Sequence, residues 1–362
     1  MSGSAVPGRA AALATRVGGV ELVNPVMTAS GTSGHGTELA AYGALGDLAA
    51  VVVKSLSVDP WPGNPAPRVH EVDAGMLNSV GLQGPGLGAW MADDLPALRA
   101  SGARVVVSIW GRTVSDYGRA AERTAAAAST TAGSCIVALE VNVSCPNVED
   151  RSRMFAHSAE ATARVMAATA CGLPRWAKLS PNVPDIVEIA SGALAGGADA
   201  LTLVNTLLGL ALDTESGRPV LGAGGGGLSG SAVHPVSVRA VWECRAAFPE
   251  VPIVGVGGVM SGRDAVELLL AGADAIQVGT ATFRDPRAPW KVLRQLARWC
   301  QDHGVTVEEM RVSARRRARG GDAADATTTT ATTATDTTTA TTPADAVGAP
   351  VPSSRNEGGR DG

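Results

Sequence analysis

The fold of this chain is most strongly constrained by a regular alternation of short apolar runs with alanine-rich stretches. Eight runs rich in β-branched residues recur along the sequence, at residues 26–29, 50–53, 105–109, 138–143, 176–179, 200–204, 253–256 and 275–278. Continuous apolar strands that alternate with helices indicate a parallel sheet covered by helices. Eight such units predict an α/β fold that closes into a (β/α)₈ TIM barrel, and an open, doubly wound sheet is the main alternative.

The stretches between the strands carry the helices and one long loop. Helices are predicted at residues 37–45, 116–129, 158–170, 185–195, 233–246 and 262–271. The longest interval, between the second and third strands, is rich in Pro, Gly and Asn over residues 60–88. These residue types favour turns over regular elements. We therefore expect an elaborated loop over the functional end of the barrel.

The two ends of the chain differ from its middle. We expect residues 1–14 to be a flexible leader, residues 15–313 to be the barrel domain and residues 314–362 to be a disordered tail. The tail is almost entirely Thr and Ala over residues 327–342. It has no hydrophobic periodicity and too little apolar surface to offset the entropy of ordering. The arginine-rich stretch 311–319 beside it is interpreted as a solvated flank.

Composition excludes several classes of protein. The formal net charge of −4 and the lack of an extended basic face argue against a nucleic-acid partner. No apolar run approaches the roughly 20 residues of a membrane span, and the start lacks the apolar core of a signal peptide. The five cysteines are widely spaced, without a CxxC pair, which argues against a disulfide framework or a zinc site. We therefore expect a cytoplasmic protein with no membrane partner and no metal.

Polar residues or glycines follow nearly every predicted strand. In barrels of this kind the chemistry lies at the carboxyl ends of the strands. The set contains lysines, amides, hydroxyls and one cysteine, but no carboxylate pair and no histidine. It suits a planar, amide-rich, anionic ligand better than hydrolysis. Its members are Ser30, Gly31, Lys54, Ser55, Ser108, Asn142, Ser144, Cys145, Asn147, Lys178, Asn205, Thr206, Gly257, Gly258, Gly279 and Thr280.

Two of these strand ends carry glycine pairs. Gly257 and Gly258 follow the seventh strand, and Gly279 and Thr280 follow the eighth. Loops at these two places often bind a phosphate through backbone N–H groups. A pair of ordinary tight turns is the alternative explanation.

Lys54, Lys178 and Cys145 are the candidates for charge and proton transfer. Both lysines lie at or within apolar runs, which favours a role in the site over a solvated surface position. Cys145 lies in a polar loop after the fourth strand. A thiol there can act as a base once its pKa falls below the usual value of about 8.5. A buried structural cysteine is the alternative, and it is our interpretation of the other four cysteines.

Seven short blocks carry a recognisable pattern: NPVMTASG at 24–31, GNPAPR at 63–68, MLNSVGLQ at 76–83, NVSCPN at 142–147, KLSPN at 178–182, NTLLG at 205–209 and GGLSG at 226–230. Together they resemble the class 1, soluble dihydroorotate dehydrogenases over residues 17–300. Blocks 81–83 and 226–230 are most similar to the NAD-linked type B catalytic subunit.

This resemblance implies an FMN-binding barrel that oxidises (S)-dihydroorotate to orotate in de novo pyrimidine (UMP) biosynthesis. Cys145 would remove the C5 proton, and FMN would accept the C6 hydride. The residues implied to contact FMN are Ser30, Lys54, Ser55, Ser108, Asn142, Lys178, Val204, Gly230, Gly257, Gly258, Gly279 and Thr280. Those implied to contact the substrate are Lys54, Asn78, Ser79, Val80, Gly81, Leu82, Asn142, Asn147, Asn205 and Thr206.

The resemblance also implies partners. The NAD-linked subclass pairs with a subunit that carries FAD and a [2Fe–2S] cluster, and the assembly is a heterotetramer. This chain has no Rossmann fingerprint and no four-cysteine cluster motif, so it would need that subunit if NAD is the acceptor. The other soluble subclass uses fumarate and works as a homodimer.

Three positions depart from the family pattern. Ser108 stands where the family usually has an asparagine that touches the flavin, Trp110 replaces a small residue and could crowd the site, and Ser231 replaces a proline. The changes at Ser108 and Trp110 keep open the alternative of a flavin-binding homologue without catalysis. Two further alternatives are a related FMN barrel that acts on another dihydropyrimidine and a phosphate-binding barrel isomerase without flavin.

Overall fold

The eight apolar runs form the eight parallel strands of a barrel. The computed structural model describes residues 12–144 and 154–320. The strands are β1 (Thr15–Val17), β2 (Val20–Leu22), β3 (Val26–Thr28), β4 (Val51–Val52), β5 (Val69–Val72), β6 (Gly75–Asn78), β7 (Val105–Ile109), β8 (Ile136–Asn142), β9 (Arg175–Leu179), β10 (Ala200–Leu203), β11 (Leu207–Gly209), β12 (Gly226–Ser229), β13 (Ile253–Val256) and β14 (Ala275–Val278).

Helices surround the barrel. They are α1 (Leu87–Asp93), α2 (Leu95–Ala100), α3 (Val114–Ala128), α4 (Ala159–Ala168), α5 (Ile186–Ala195), α6 (His234–Ala247), α7 (Gly262–Ala271), α8 (Ala281–Arg284), α9 (Ala288–His303) and α10 (Val307–Ala318). Several begin with a side chain that accepts a backbone N–H, such as Thr113 before α3 and Asp185 before α5. Such caps satisfy donors that the first helical turn leaves free.

The parallel sheet has the order β3-β14-β13-β10-β9-β8-β7-β4. Its two edge strands meet through a parallel bridge between Met27 and Ala50. The amide of Ala49 donates to the carbonyl of Val26 at 2.9 Å, and the amide of Thr28 donates to the carbonyl of Ala50 at 3.3 Å. These bonds close the sheet, so the predicted TIM barrel is confirmed and the open-sheet alternative is wrong.

An apolar cluster fills the barrel towards the amino ends of its strands. Val17 and Leu22, from the antiparallel hairpin β1–β2, pack in this cluster against Met27 and Trp176. Because alternate residues of a strand point to the same face, the residues two positions further on also point inward. Six of these eight residues are polar, namely Lys54, Ser108, Glu140, Lys178, Thr202 and Gln277, and the other two are Ala29 and Val256. The barrel interior therefore has an apolar layer with a polar layer above it.

A second, antiparallel sheet has the order β11-β12-β6-β5. Strands β5 and β6 come from the long loop at 60–88, whereas β11 and β12 come from the segment that follows β10. The sequence predicted an elaborated loop here but not a sheet, because the pairing joins segments distant in the chain and β12 begins with two glycines. We call this four-stranded sheet the lid sheet.

The predicted helix at 37–45 is wrong. Two short 3₁₀ turns, Glu38–Ala41 and Leu45–Asp47, occupy this region. Gly43 lies between them, packed so closely on Trp290 that a Cβ atom there would lie 2.5 Å from the indole ring. The close approach of this backbone to Trp290, whose Nε1 donates to the carbonyl of Ala44 at 2.9 Å, interrupts the helix.

Helix α10 is anchored to the barrel, so the interpretation of residues 311–319 as a solvated flank is wrong. The buried carboxylate of Asp274 accepts hydrogen bonds from Arg311 and Arg315 of α10, each at 2.7 Å, and from Arg245 of α6 at 2.8 Å. The helix continues to Ala318, past position 314, at which the tail was predicted to begin. Residues 321–362 lie outside the described residues, and the division into leader, barrel and tail stays a prediction.

Replacing Asp274 by Asn should destabilise the fold. Asp274→Asn leaves three guanidinium groups, two of them buried, without their carboxylate, and losing one partner of a buried ion pair costs about 3–5 kcal/mol. Urea unfolding followed by circular dichroism measures this loss. As a control, Glu250→Gln breaks the exposed pair with Arg319 and should leave the midpoint almost unchanged. Equal midpoints for the two variants would contradict the anchoring role.

Candidate active site

A cavity of about 540 Å³ opens at the carboxyl ends of the barrel strands. Its volume is within the range of small-molecule and cofactor sites. The barrel forms its floor, and the lid sheet contributes Met76, Leu208, Leu228 and Ser229 to its walls. The cavity therefore lies where the strand-end residues were expected to meet.

Most of the predicted site residues line this one cavity. They are Ser30, Lys54, Ser55, Asn78, Ser79, Val80, Gly81, Leu82, Asn142, Lys178, Val204, Asn205, Thr206, Gly230, Gly257, Gly258, Gly279 and Thr280. Ser108 does not line it but lies in the polar layer below. Cys145 and Asn147 lie outside the described residues, although Ser144 and Met154, which flank that segment, both line the cavity.

The charge of the cavity comes from lysine. Among the described residues that line it, Lys54 and Lys178 are the charged ones, and no carboxylate or histidine is exposed to it. The whole chain has three lysines, so two of the three meet here. Burial lowers the pKa of Lys54 because the charged ammonium is partly removed from water. No carboxylate lies opposite these ammonium groups across the described lining, and Lys54 has no ion-pair partner among the described residues, so the cavity suits an anion.

Lys178 is held from below by a buried carboxylate that the sequence analysis missed. Its Nζ donates to Ser30 Oγ at 3.0 Å and to Glu140 Oε1 at 3.4 Å. Glu140 is fully buried on β8 and also accepts hydrogen bonds from Ser108 Oγ at 3.2 Å and Gln277 Nε2 at 2.7 Å. The signal in the sequence was a lone charged residue inside an apolar strand, since such a residue is seldom buried without a partner.

Amide side chains form a linked group beside the lysines. Asn142 Nδ2 donates to Ser55 Oγ at 3.2 Å, and Asn142 Oδ1 accepts from Asn205 Nδ2 at 3.2 Å and from the amide of Ser144 at 3.2 Å. The hydroxyl of Tyr117 donates to the carbonyl of Asn142 at 2.7 Å. These bonds fix the orientation of two amides that can pair with the imide edges of a planar ligand.

Asn182 is a further positioning residue, quoted in the family pattern but not predicted as a site residue. Its Nδ2 donates to Ser180 Oγ and to the carbonyl of Thr206, both at 2.9 Å, and its Oδ1 accepts from the amide of Leu208 at 2.8 Å. It therefore ties the end of β9 to the segment that carries Asn205 and Thr206.

The lid sheet brings its own polar groups to the cavity. Asn78 Nδ2 donates to the carbonyl of Gly227 at 3.1 Å, which joins β6 to β12. The chain then turns through Gly81 and Leu82, which have φ angles of 71° and 61°. A positive φ is rare for leucine, and such strained positions concentrate at functional sites. The turn presents the substrate-binding residues predicted at 78–82 to the cavity.

The glycine loops after β13 and β14 bring backbone close to the cavity. Gly258 has a φ of 65°, and a Cβ there would lie 2.8 Å from the amide nitrogen of His234 and 2.9 Å from the carbonyl oxygen of Gly230. Thr280 Oγ1 donates to Ser229 Oγ at 2.8 Å. Glycine loops after the seventh and eighth barrel strands are a common place for a phosphate site.

The other two departures from the family pattern, Trp110 and Ser231, can also be placed. Trp110 does not line the cavity but packs edge-to-face on Trp61, with ring centroids 5.8 Å apart. Trp110 therefore does not narrow the cavity within its described lining, contrary to the expectation that it could crowd the site. Ser231 Oγ donates to the carbonyl of Ala74, at the turn of the lid sheet.

Within residues 12–144 and 154–320, no helix is long and apolar enough to cross a membrane. The same residues contain no cluster of three or more His, Cys, Asp or Glu side chains that would hold a metal ion.

The barrel and its cavity define a (β/α)₈ protein with a candidate site at the carboxyl ends of its strands, where two lysines, linked amides and glycine loops meet. The family described as dihydroorotate dehydrogenase matches residues 12–299. Relatives named "Dihydroorotate dehydrogenase B (NAD(+)), catalytic subunit" include those of Geobacter sp. (strain M21), 43% identical over 81% of this chain and 94% of the relative, and of Alkaliphilus oremlandii, 44% identical over 81% and 95%. The chain belongs to the dihydroorotate dehydrogenase family. It is an oxidoreductase of this flavin-dependent family, which oxidises dihydroorotate in pyrimidine biosynthesis.

Removing the charge of Lys54 should stabilise the ligand-free protein. Because burial lowers the pKa of Lys54 from 10.5, folding favours the neutral amine. The folding penalty is present below the folded-state pKa and fades as the pH rises towards 10.5. Lys54→Met should therefore raise the free energy of unfolding at pH 7, by an amount that shrinks at alkaline pH.

Urea unfolding of the ligand-free protein between pH 7 and 10 measures this difference. Lys291→Met is the matched control, because Lys291 is exposed and ion-paired with Asp285. It should give no gain in stability at any of these pH values. A Lys54→Met variant that is no more stable than the wild type at pH 7 would contradict an unpaired ammonium at this position.

Proposed function

We propose that this chain is the FMN-binding catalytic subunit of an NAD-linked dihydroorotate dehydrogenase. One observation carries the cofactor assignment: the cavity combines two lysines and no exposed carboxylate, among its described lining, with glycine loops after the last two barrel strands. FMN has a phosphate for the glycine loops and a ring whose reduced form is anionic, which suits a lysine.

The described residues fit FMN in a defined way. Gly257, Gly258, Gly279 and Thr280 would hold the phosphate, since they line the cavity after the seventh and eighth barrel strands, where backbone N–H groups often bind one. Lys178 would contact the ring, because its ammonium reaches the cavity from the barrel interior while Ser30 and Glu140 hold it. The bound flavin supplies a hydride acceptor.

The substrate would lie between the amide group and the lid sheet. Asn142, Asn205 and Thr206 would pair with the imide edges of dihydroorotate, and Lys54 would attract its carboxylate. Residues 78–82, at the end of β6 and in the turn after it, would cover the substrate. Asn147 would also contact the substrate, because it matches the last asparagine of the NVSCPN block of the family. Covering the site excludes water from the reacting atoms.

Cys145 would be the base of this reaction. Its thiolate would take the proton from C5 as the hydride leaves C6, so that the C5=C6 double bond of orotate forms. Ser144, the residue before it, lines the cavity beside Asn142. Positions 142–147 match the NVSCPN block of the family.

The proposed partner is a subunit that carries FAD and a [2Fe–2S] cluster, in a heterotetramer. The relatives are named NAD(+)-linked catalytic subunits, which supports this proposal over a fumarate-linked homodimer. Leu208 and Phe283 line the cavity and are more than half exposed, so an apolar rim would face such a subunit. We also propose a cytoplasmic location, which is consistent with the four free thiols among the described residues.

The first test is the visible spectrum of the purified protein. We expect flavin absorbance that bleaches on anaerobic addition of dihydroorotate, and we expect the flavin released by heat to be FMN by mass. Addition of dihydrouracil instead should leave the spectrum unchanged. A yellow protein that dihydroorotate does not bleach would refute the substrate, and a colourless protein that does not take up FMN would refute the cofactor.

The second test concerns the base. Cys145→Ala should retain bound FMN but be reduced by dihydroorotate about 10²–10⁴-fold more slowly, which is the usual contribution of a positioned base. Anaerobic stopped-flow absorbance measures the rate. Cys135→Ala is the control, because Cys135 precedes β8 at the opposite end of the barrel, and it should be reduced at the wild-type rate. Equal rates for the two variants would exclude Cys145 as the base.

A further inference from the structure

Glu140 is a fully buried carboxylate that the reaction above does not use. It does not line the cavity, and its contacts run to other buried side chains of the barrel interior. Burying a carboxylate is costly unless it is paired and hydrogen-bonded. A carboxylate on β8 directly under the cavity therefore indicates a role that an apolar residue could not perform.

Three side chains hold the carboxylate in one orientation. Oε2 accepts from Gln277 Nε2 at 2.7 Å, and Oε1 accepts from Ser108 Oγ at 3.2 Å and from Lys178 Nζ at 3.4 Å. Ser108 is in turn bonded to Ser55 at 2.9 Å. The carboxylate is thus fixed by β7, β9 and β14. Of its three partners, Lys178 is the one that lines the cavity itself and carries a charge.

Lys178 transmits the charge of Glu140 to the cavity. An ammonium has three N–H donors, and Ser30 and Glu140 use two of them. Within residues 12–144 and 154–320 no hydrogen bond uses the third donor, and Lys178 lines the cavity. The buried carboxylate offsets much of the positive charge that Lys178 presents there, because opposite charges this close nearly cancel at a distance in a low-dielectric interior.

We propose that Glu140 is a positioning residue that fixes the Lys178 ammonium and sets the reduction potential of the flavin by offsetting the charge of that lysine. This inference rests on the proposed flavin site. With both residues present the pair is neutral, so reduction of the flavin to its anionic form gains only part of the stabilisation that an isolated ammonium would give. The pair therefore keeps the flavin from becoming so strong an oxidant that it could not pass its electrons on.

The experiment measures the flavin reduction potential by dye equilibration, at one fixed pH, for four FMN-loaded proteins. These are the wild type, Glu140→Gln, Lys178→Gln and the double variant. Glu140→Gln keeps the shape of the side chain and leaves one positive charge, so the reduced-to-oxidised ratio at a given potential should rise about tenfold or more. For a two-electron couple that is a shift of about 30 mV upward.

The other two variants complete a double-mutant cycle. Lys178→Gln leaves one negative charge, so the ratio should fall by a similar factor. The double variant restores neutrality and should return to within about threefold of the wild type, since the two effects cancel. Losing both charges together also leaves no unpaired buried ion, which favours folding of the double variant.

Thr202→Val is the control for a purely structural effect. Thr202 is fully buried, lies beside Lys178 in the strand register, and its hydroxyl is without a hydrogen-bond partner within the described part of the chain. The substitution changes polarity but not charge, so the potential should stay at the wild-type value. A change equal to that of Glu140→Gln would show that packing, not charge, is responsible, and would overturn the proposal.

The outcomes separate this inference from the proposed function. A wild type that binds no flavin would overturn both. A flavin-loaded wild type with the same potential as Glu140→Gln would overturn only the role of Glu140. If Glu140→Gln does not fold, the comparison of Lys178→Gln with the double variant tests the proposal. The proposal requires a higher flavin reduction potential in the double variant than in Lys178→Gln, and equal potentials in these two proteins would overturn it.

Discussion

The inward faces of eight strands must be filled, and this chain fills them with two layers of opposite character. The lower layer is apolar, with Met27 and Trp176 packed on the β1–β2 hairpin. The layer above is polar and is held together by the buried pair of Lys178 and Glu140. The ligand cavity rests on this polar layer. Inward-pointing residues lie two positions apart on each strand, so the strands that fill the lower barrel with apolar side chains also place the polar side chains under the cavity.

Stability and function are separated along the barrel axis. At the amino ends of the strands, Asp274 forms ion pairs with Arg245 of α6 and Arg311 of α10, and these pairs hold both helices to the barrel. At the carboxyl ends, Lys54 is left without a facing carboxylate, which costs stability in the free protein and prepares the cavity for an anion. This division is typical of barrel enzymes, in which loops at one face carry chemistry and the other face carries the fold.

The strands and most of the cavity could be predicted from the sequence, because both depend on local patterns. Each predicted strand lies within two residues of an observed one, and the residues that follow the strands meet as expected. The lid sheet could not be predicted, since it pairs segments more than 100 residues apart. Glu140 was missed because only its contacts with Lys178 and Gln277 explain a charge in an apolar strand. The extent of α10 depends on its ion pairs with Asp274, which the periodicity of the sequence does not show.

The central claim is that flavin and orotate occupy the cavity. A crystal structure, from crystals of the protein grown in the presence of orotate, tests this claim most directly. We predict a flavin with its phosphate at Gly257–Gly258 and Gly279–Thr280, its ring in contact with Lys178, and orotate between the ring and the amides of Asn142 and Asn205. A flavin bound elsewhere on the chain, or orotate bound away from the ring, would contradict the account.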